Sequence, residues 1–223
     1  MNAETSRDLK ITGNGSTSGG RFRHVTITGE GDIHGALHCE QFKCTGRASI
    51  QGSVESTICK VNGEVRVEGS WRGKELHFLG QFYAKSGIQG DRLKFRGDIQ
   101  TGGSCEAETI SWKGGGRIKG MLNAEEIRIS LYGPCQAKEI GGSRIDVRKN
   151  TLSALKDWLH PSGKPELQAD LIEGDELYLE YTQAKIVRGS RVTIGNGCSI
   201  NTVEYKESLK VHAQAVVEVR RKV

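Results

Sequence analysis

Apolar and polar residues alternate in a pattern that repeats every 17 residues between Val25 and Glu126. Within each repeat, every second residue of the short segments is apolar, which is typical of strands with one buried face. The repeats also align two columns of small residues, six residues apart. They are Gly29, Gly46, Gly63, Gly80, Gly97 and Gly114, followed by Gly35, Gly52, Gly69, Ser86, Gly103 and Gly120.

A glycine that recurs at one position of every repeat predicts a corner, because glycine adopts positive φ angles without steric cost. Short strands joined by such corners, with one circuit per repeat, predict a parallel β-helix of about 17 residues per turn. The period is too short for a β-propeller blade or for a leucine-rich repeat that carries a helix. The sequence therefore predicts an all-β solenoid whose core is one column of stacked apolar side chains.

The repeat is interrupted after Asn150. Residues 151–169 predict a short amphipathic helix, ended by Pro161 and Gly163, that leaves the solenoid. Its apolar face packs on the solenoid in one interpretation and contacts a partner or a membrane surface in the other. The residues of this face are Leu152, Leu155, Trp158 and Leu159.

Alternation resumes after the insert and predicts further turns on the same solenoid, or a second small solenoid hinged at the insert. The predicted segments are a disordered tail at 1–8, the main β-helix at 9–150, the insert at 151–169, further turns at 170–219 and a basic tail at 220–223. The residues read as inward-facing in the further turns are Leu177, Leu179, Ile186, Val192, Ile194, Ile200 and Val203.

Composition and charge narrow the class of protein. The chain has 35% hydrophobic residues and no apolar run long enough to span a membrane, and its first residues lack the apolar segment of a secretory signal. We therefore expect a cytoplasmic protein. The net charge of +5 comes from 32 basic and 27 acidic residues that are interleaved along the chain. This balance does not predict a nucleic-acid partner.

The six cysteines are interpreted as free, packed thiols. Cys44, Cys59, Cys105 and Cys135 fall in inward columns, and Cys39 shares a column with small residues. No CxxC pair is present, so the spacing typical of metal ligands is missing. We expect neither a metal nor a redox role.

The two ends of the predicted solenoid point to self-association. The backbone N–H and C=O groups of a terminal turn have no neighbour on one side and can pair with another chain unless they are covered. Solenoids usually carry polar capping repeats, and the sequence predicts none here. We expect the contacts between subunits at apolar residues of the end turns: Leu9, Ile11, Phe22, Val211, Val217 and Val219.

Segments such as VTITGEGDIHG and VRVEGSWRG resemble the bactofilins, which are polymer-forming bacterial cytoskeletal proteins. LIEGDELYLEYTQAKIVRGSRVTIG is similar to the C-terminal half of longer bactofilin-like proteins. The resemblance implies a right-handed β-helix and nucleotide-independent filaments that serve as scaffolds in cell shape, motility or envelope processes. It also implies that the chain polymerises with itself or with a paralogous bactofilin. A peripheral membrane or envelope-protein partner, at the inner face of the cell membrane, is a further candidate. The insert and the polar N-terminus depart from the usual family pattern.

Enzymatic interpretations have less support. A hexapeptide-repeat acyltransferase needs a strict six-residue repeat and a histidine base, for which His34 and His38 are outward-facing candidates. Glycine pairs such as Gly29 with Gly31 lack the strand–loop–helix context of a phosphate-binding loop. We expect no enzyme, no cofactor and no small-molecule substrate. The alternative to a polymer is a β-helical adaptor that presents its flat faces to a protein partner.

Overall fold

The computed structural model describes residues 7–150 and 163–223, and these form one parallel β-sheet wound into a solenoid. Each strand pairs with the next in chain order, and the described residues contain no helix. The ten strands are β1 (Leu9–Ile50), β2 (Val54–Val67), β3 (Trp71–Ala84), β4 (Ile88–Thr101), β5 (Cys105–Gly141), β6 (Arg144–Lys149), β7 (Leu167–Leu179), β8 (Thr182–Ile194), β9 (Ser199–Val211) and β10 (Val216–Lys222). The predicted β-solenoid is confirmed.

The register follows the 17-residue repeat through the first half of the chain. Val54 pairs with Leu37, Trp71 pairs with Val54, and Ile88 pairs with Trp71. Turn length then varies: Arg144 pairs with Glu126 at an offset of 18, and Val192 pairs with Leu177 at an offset of 15. The column continues because backbone pairing tolerates small changes in the length of the corners.

The first glycine column forms a corner that only glycine can occupy. Its members have φ angles between +114° at Gly29 and +153° at Gly114. A Cβ atom added at Gly46 would lie 2.1 Å from the carbonyl oxygen of Gly29. Adjacent turns therefore approach backbone to backbone, and β1 and β5 continue through the corner without a break in pairing.

The core is a single column of buried side chains with an aromatic centre. Trp71 is fully buried, and its ring lies edge-on at 5.1 Å from the Phe42 ring centroid. Phe78 stacks on Phe95 with centroids 5.5 Å apart. The indole Nε1 of Trp71 donates a hydrogen bond to the buried Ser56 hydroxyl at 2.9 Å, so its polar group is satisfied.

The sheet is continuous across the interruption after Asn150. Strand β5 pairs with β6 and also with β7, where Cys135 is in register with Leu167. Because β7 begins at Leu167, the last three residues of the predicted 151–169 insert lie in the sheet. The four apolar residues assigned to the face of the insert lie outside the described residues, and so does most of the predicted 1–8 tail. They are Leu152, Leu155, Trp158 and Leu159.

Two predictions for the C-terminal turns are wrong. Ile186 was predicted to face inward, but it is 36% exposed, and Val187 is buried instead. The preceding turn has only 15 residues, which pairs Ile186 with the outward Leu171 and Val187 with the buried Ile172. The predicted basic tail lies mostly in a strand, since β10 extends to Lys222 and Arg220 pairs with Val203.

The cysteines are free and packed, as expected. Five are buried and Cys39 is half-buried. Burial raises the pKa of the Cys105 thiol to about 12 and that of Cys59 well above its ordinary value. At neutral pH these side chains are therefore neutral thiols that fill the core.

Candidate assembly surfaces

The C-terminal end of the solenoid is an open sheet edge that carries apolar side chains. Strand β10 pairs with β9 on one side, and no described strand pairs with its other side. Val217 is half-buried, whereas Val219 is 39% exposed and Val216 is 59% exposed. Val211, in the same last turn, is half-buried. Apolar surface and unpaired backbone groups therefore lie together at this end.

The N-terminal end is better covered. Ile11 and Phe22, two of the predicted contact residues, are 8% and 5% exposed, and Leu9 is half-buried. The Arg7 guanidinium lies over the Phe22 ring, 5.5 Å from its centroid. The backbone N–H of Arg23 donates to the carbonyl oxygen of Arg7 at 3.1 Å. Residue 7 thus shields the apolar centre of the first turn.

Asp8 forms polar contacts with the second turn at the same end. Its carboxylate accepts hydrogen bonds from Arg23 Nε at 3.2 Å and from Arg23 Nη2 at 3.1 Å, and it lies 3.2 Å from His24 Nδ1. The bonds from Arg23 hold the pKa of Asp8 below its ordinary value. These contacts hold the residues before β1 against the beginning of the second turn.

Ion pairs between successive turns form ladders along the outer faces. One ladder runs through Glu173, Arg188, Glu204 and Arg221, with Arg188 2.7 Å from Glu204 and 3.2 Å from Glu173. In a second ladder, Arg191 and Arg144 hold the pKa of Glu176 below its ordinary value. The first ladder ends at Arg221 and the second at Glu207, which pairs with Arg191, so charged side chains line the rim of the C-terminal end.

The two candidate histidines lie on the outer surface of the solenoid. His34 is exposed, and His38 Nδ1 lies 2.9 Å from the Glu55 carboxylate. Residues 7–150 and 163–223 contain no group of three His, Cys, Asp or Glu side chains that could hold a metal ion. In the same residues, no helix has the length and apolarity needed to cross a membrane.

Comparison with known proteins finds two relatives in Bacillus subtilis strain 168. Uncharacterized protein YhbE is 43% identical over 105 residues, and Uncharacterized protein YhbF is 37% identical over 103 residues. Each match covers 46% of this chain, and 43% and 41% of the respective relative. The chain is thus similar to less than half of each protein. No family model and no solved structure matches.

Sequence reasoning identified the apolar residues of both ends but missed how differently the ends are covered. Arg7 and Asp8 fall in the predicted disordered tail at 1–8, although both contact the first turns. Val216 and Val223 are not among the predicted contact residues, although they are 59% and 66% exposed. The available signal was the set of apolar residues in the segment VVEVRRKV.

Proposed function

We propose that the protein is a bactofilin-type scaffold that self-assembles through its terminal turns without a nucleotide. A regular β-solenoid fits such a polymer because each added copy repeats the parallel pairing that already joins neighbouring turns. The resemblance to bactofilins in segments such as VTITGEGDIHG supports this proposal. In this role the polymer supports cell morphology, motility or envelope-associated machinery.

The observation that carries the proposal is the free edge of β10 with its apolar side chains. A parallel sheet gains one set of backbone hydrogen bonds for each strand that joins it, at a spacing of about 4.8 Å. Half-buried Val217 lies on this edge in register with the buried Ile200, so a second copy would cover its side chain. Pairing of the edge and burial of apolar surface then favour association together.

A charge at the open end tests the proposal. Val217→Asp places a carboxylate on the inward side of the last turn, where a second copy would bury it, and we expect the concentration needed for assembly to rise by at least about tenfold. Val219→Asp is the matched control, because Val219 lies on the same strand in an outward column whose Ile186, two turns inside the end, stays 36% exposed. Sedimentation velocity and negative-stain microscopy without nucleotide measure the assembly.

Threads or ribbons of the wild type that are lost only in Val217→Asp support the proposal. Discrete particles of the wild type at high concentration would contradict it and would favour the adaptor that presents its faces to a partner. Equal effects of the two variants would also count against contacts at the terminal turn. A charge at Phe22 is a poorer test, because this residue is only 5% exposed and the change would destabilise the first turn.

A further inference from the structure

One face of the solenoid carries a cluster of positive charge, and Glu75 in the neighbouring column pairs with Arg92. Lys43, Lys60, His77 and Lys94 pair in register, so their side chains project from the same position of four successive turns. Two residues further along each strand, Arg96 pairs with Lys113. We define this surface, with Leu79 at its centre, as the cationic face.

The cations of this face are unpaired. In the parts of the chain that the structure describes, none of five exposed side chains has a carboxylate oxygen within ion-pair distance: Lys43, Lys60, Lys94, Arg96 and Lys113. The same chain neutralises cations elsewhere by placing an acidic residue one turn away, as Glu64 does for Arg47 and Glu68 does for Lys85.

Like charges on neighbouring strands repel each other, and successive turns of this face lie only about 4.8 Å apart. At His77, partial burial lowers the pKa, and the charges of Lys94, Lys60 and Arg92 lower it further against an opposing effect of Glu75. The arrangement therefore costs free energy in the isolated protein. An anionic partner would remove the cost by supplying the missing negative charge.

The shape of the face favours a flat partner. The cations occupy two outward columns about 7 Å apart on a continuous parallel sheet, over a length of about 20 Å. Leu79 lies in the second column, in register with Arg96, and is 49% exposed. An exposed leucine among lysines fits the interfacial region of a bilayer, where apolar groups enter between headgroups and lysines contact lipid phosphates.

Nucleic acid fits the same face less well. Single-stranded nucleic acid is usually bound with aromatic side chains on which the bases stack. The aromatic residues of this part of the sheet, Phe78, Phe95 and Trp112, are buried on the opposite side of their strands. A flat sheet also presents no helix or ribbon that could enter a groove of a duplex.

We propose that the cationic face binds a membrane surface that contains anionic phospholipids, with Leu79 in the headgroup region. The polymer then lies along the membrane with the axis of the solenoid parallel to the surface. This contact is separate from the insert at 151–169 and does not depend on assembly.

Vesicle flotation tests the proposal, because filaments do not float by themselves. The full chain is mixed with phosphatidylcholine vesicles that contain or lack phosphatidylglycerol. Lys60→Gln combined with Lys94→Gln removes two charges from the face, and we expect binding to the anionic vesicles to fall by about thirtyfold, since each lysine near an anionic surface contributes about 1 kcal/mol. We expect Leu79→Ser to weaken binding by roughly fivefold.

The matched control is Lys85→Gln combined with Lys185→Gln. It has the same net charge, but its lysines pair with Glu68 and Asp170 outside the cationic face. We expect binding to change by less than about threefold. Thermal unfolding of each variant checks that it is folded.

Four results would overturn the proposal: no flotation of the wild type, equal flotation with pure phosphatidylcholine, equal losses in the two double variants, or tighter binding of an oligonucleotide than of anionic vesicles. The last result would assign the face to nucleic acid. Repeating the assay with Val217→Asp separates membrane binding from assembly, because this substitution lies at the open end and leaves the cationic face intact.

Discussion

The interior turns and the end turns of this solenoid are built from the same residue types but under different constraints. In the interior, Gly80 lies against the backbone of Gly63, and Val65 is fully buried between its neighbours. In the first turn, the Cβ position of Gly13 has no atom within 4 Å, and in the last turn Val217 is only half-buried. The sequence pattern is thus constant along the chain. How much each position contributes to the free energy of folding depends on whether a neighbouring turn covers it.

Interior positions and end positions therefore contribute to different quantities, the free energy of folding and the free energy of association. Interior positions contribute to the free energy of folding because their neighbours are always present. End positions reach the same burial only when a further turn pairs with the end. Matched substitutions in the two regions should therefore differ in their effect on folding.

The largest effect is expected at the glycine corner. In Gly80→Ala the new Cβ would lie 2.1 Å from the Gly63 carbonyl oxygen at a φ of +120°, so we expect a loss of more than about 4 kcal/mol or failure to fold. Gly13→Ala has a φ of +79° and open space, and its cost should be about 1–2 kcal/mol. Urea unfolding measures both, and equal costs would contradict the backbone contact.

Deletion of two methyl groups gives a second comparison. We expect Val65→Ala to reduce the free energy of unfolding by about 2–3 kcal/mol, because Val65 is fully buried. Val217→Ala should cost less than about 1 kcal/mol at low protein concentration. If a second copy covers the end, the cost of Val217→Ala will rise with protein concentration. A cost equal to that of Val65→Ala at every concentration would show that this end is permanently covered.

The pH dependence of the free energy of unfolding tests the environment of His77 in the cationic face. Partial burial and the neighbouring Lys94 lower the pKa of His77, so the folded protein favours the neutral imidazole. As the pH falls below about 6.5, the unfolded chain binds a proton that the folded protein resists, and stability should decrease. His77→Gln should remove this part of the decrease. Chemical unfolding between pH 5 and pH 7 tests it, and an unchanged slope would contradict the assignment.

The smallest effect concerns thiol reactivity. Burial raises the pKa of Cys39 to about 12, but the side chain is half-buried, whereas Cys59 is fully enclosed. We expect a disulfide reagent to modify Cys39 slowly and the buried thiols only after unfolding. Cys39→Ser should abolish the reaction of the folded protein. Rapid modification of several thiols would indicate that the interior turns open.

The fold was predictable because the corner and the strands leave separate signals in the sequence. The glycines from Gly29 to Gly114 mark the corner, and the alternation between them marks the buried face. The prediction failed at Ile186, where the turn shortens to 15 residues. Alternation alone does not report such a change, since Ile186 and Val187 are both apolar neighbours.

The surfaces were harder to predict. Along the sequence, basic and acidic residues are interleaved, and no charged face is apparent. The pairing of the strands, however, places Lys43, Lys60, His77 and Lys94 in one row of outward side chains. The shielding of the N-terminal end by Arg7 could not be inferred from the alignment of the repeats. The contact of Arg7 with Phe22 joins residues 15 positions apart through the first turn and has no repeated counterpart.

The continuity of the sheet across the interruption has a practical use. The N–H of Cys135 donates to Glu166 at 2.8 Å, and the N–H of Asn150 donates to Leu131 at 3.2 Å, so both flanks are anchored to the same corner. A fluorescent protein genetically inserted between residues 150 and 163 would therefore leave the pairing intact and both ends of the chain unmodified. Such an internal reporter would allow the protein to be followed in living cells without a terminal fusion.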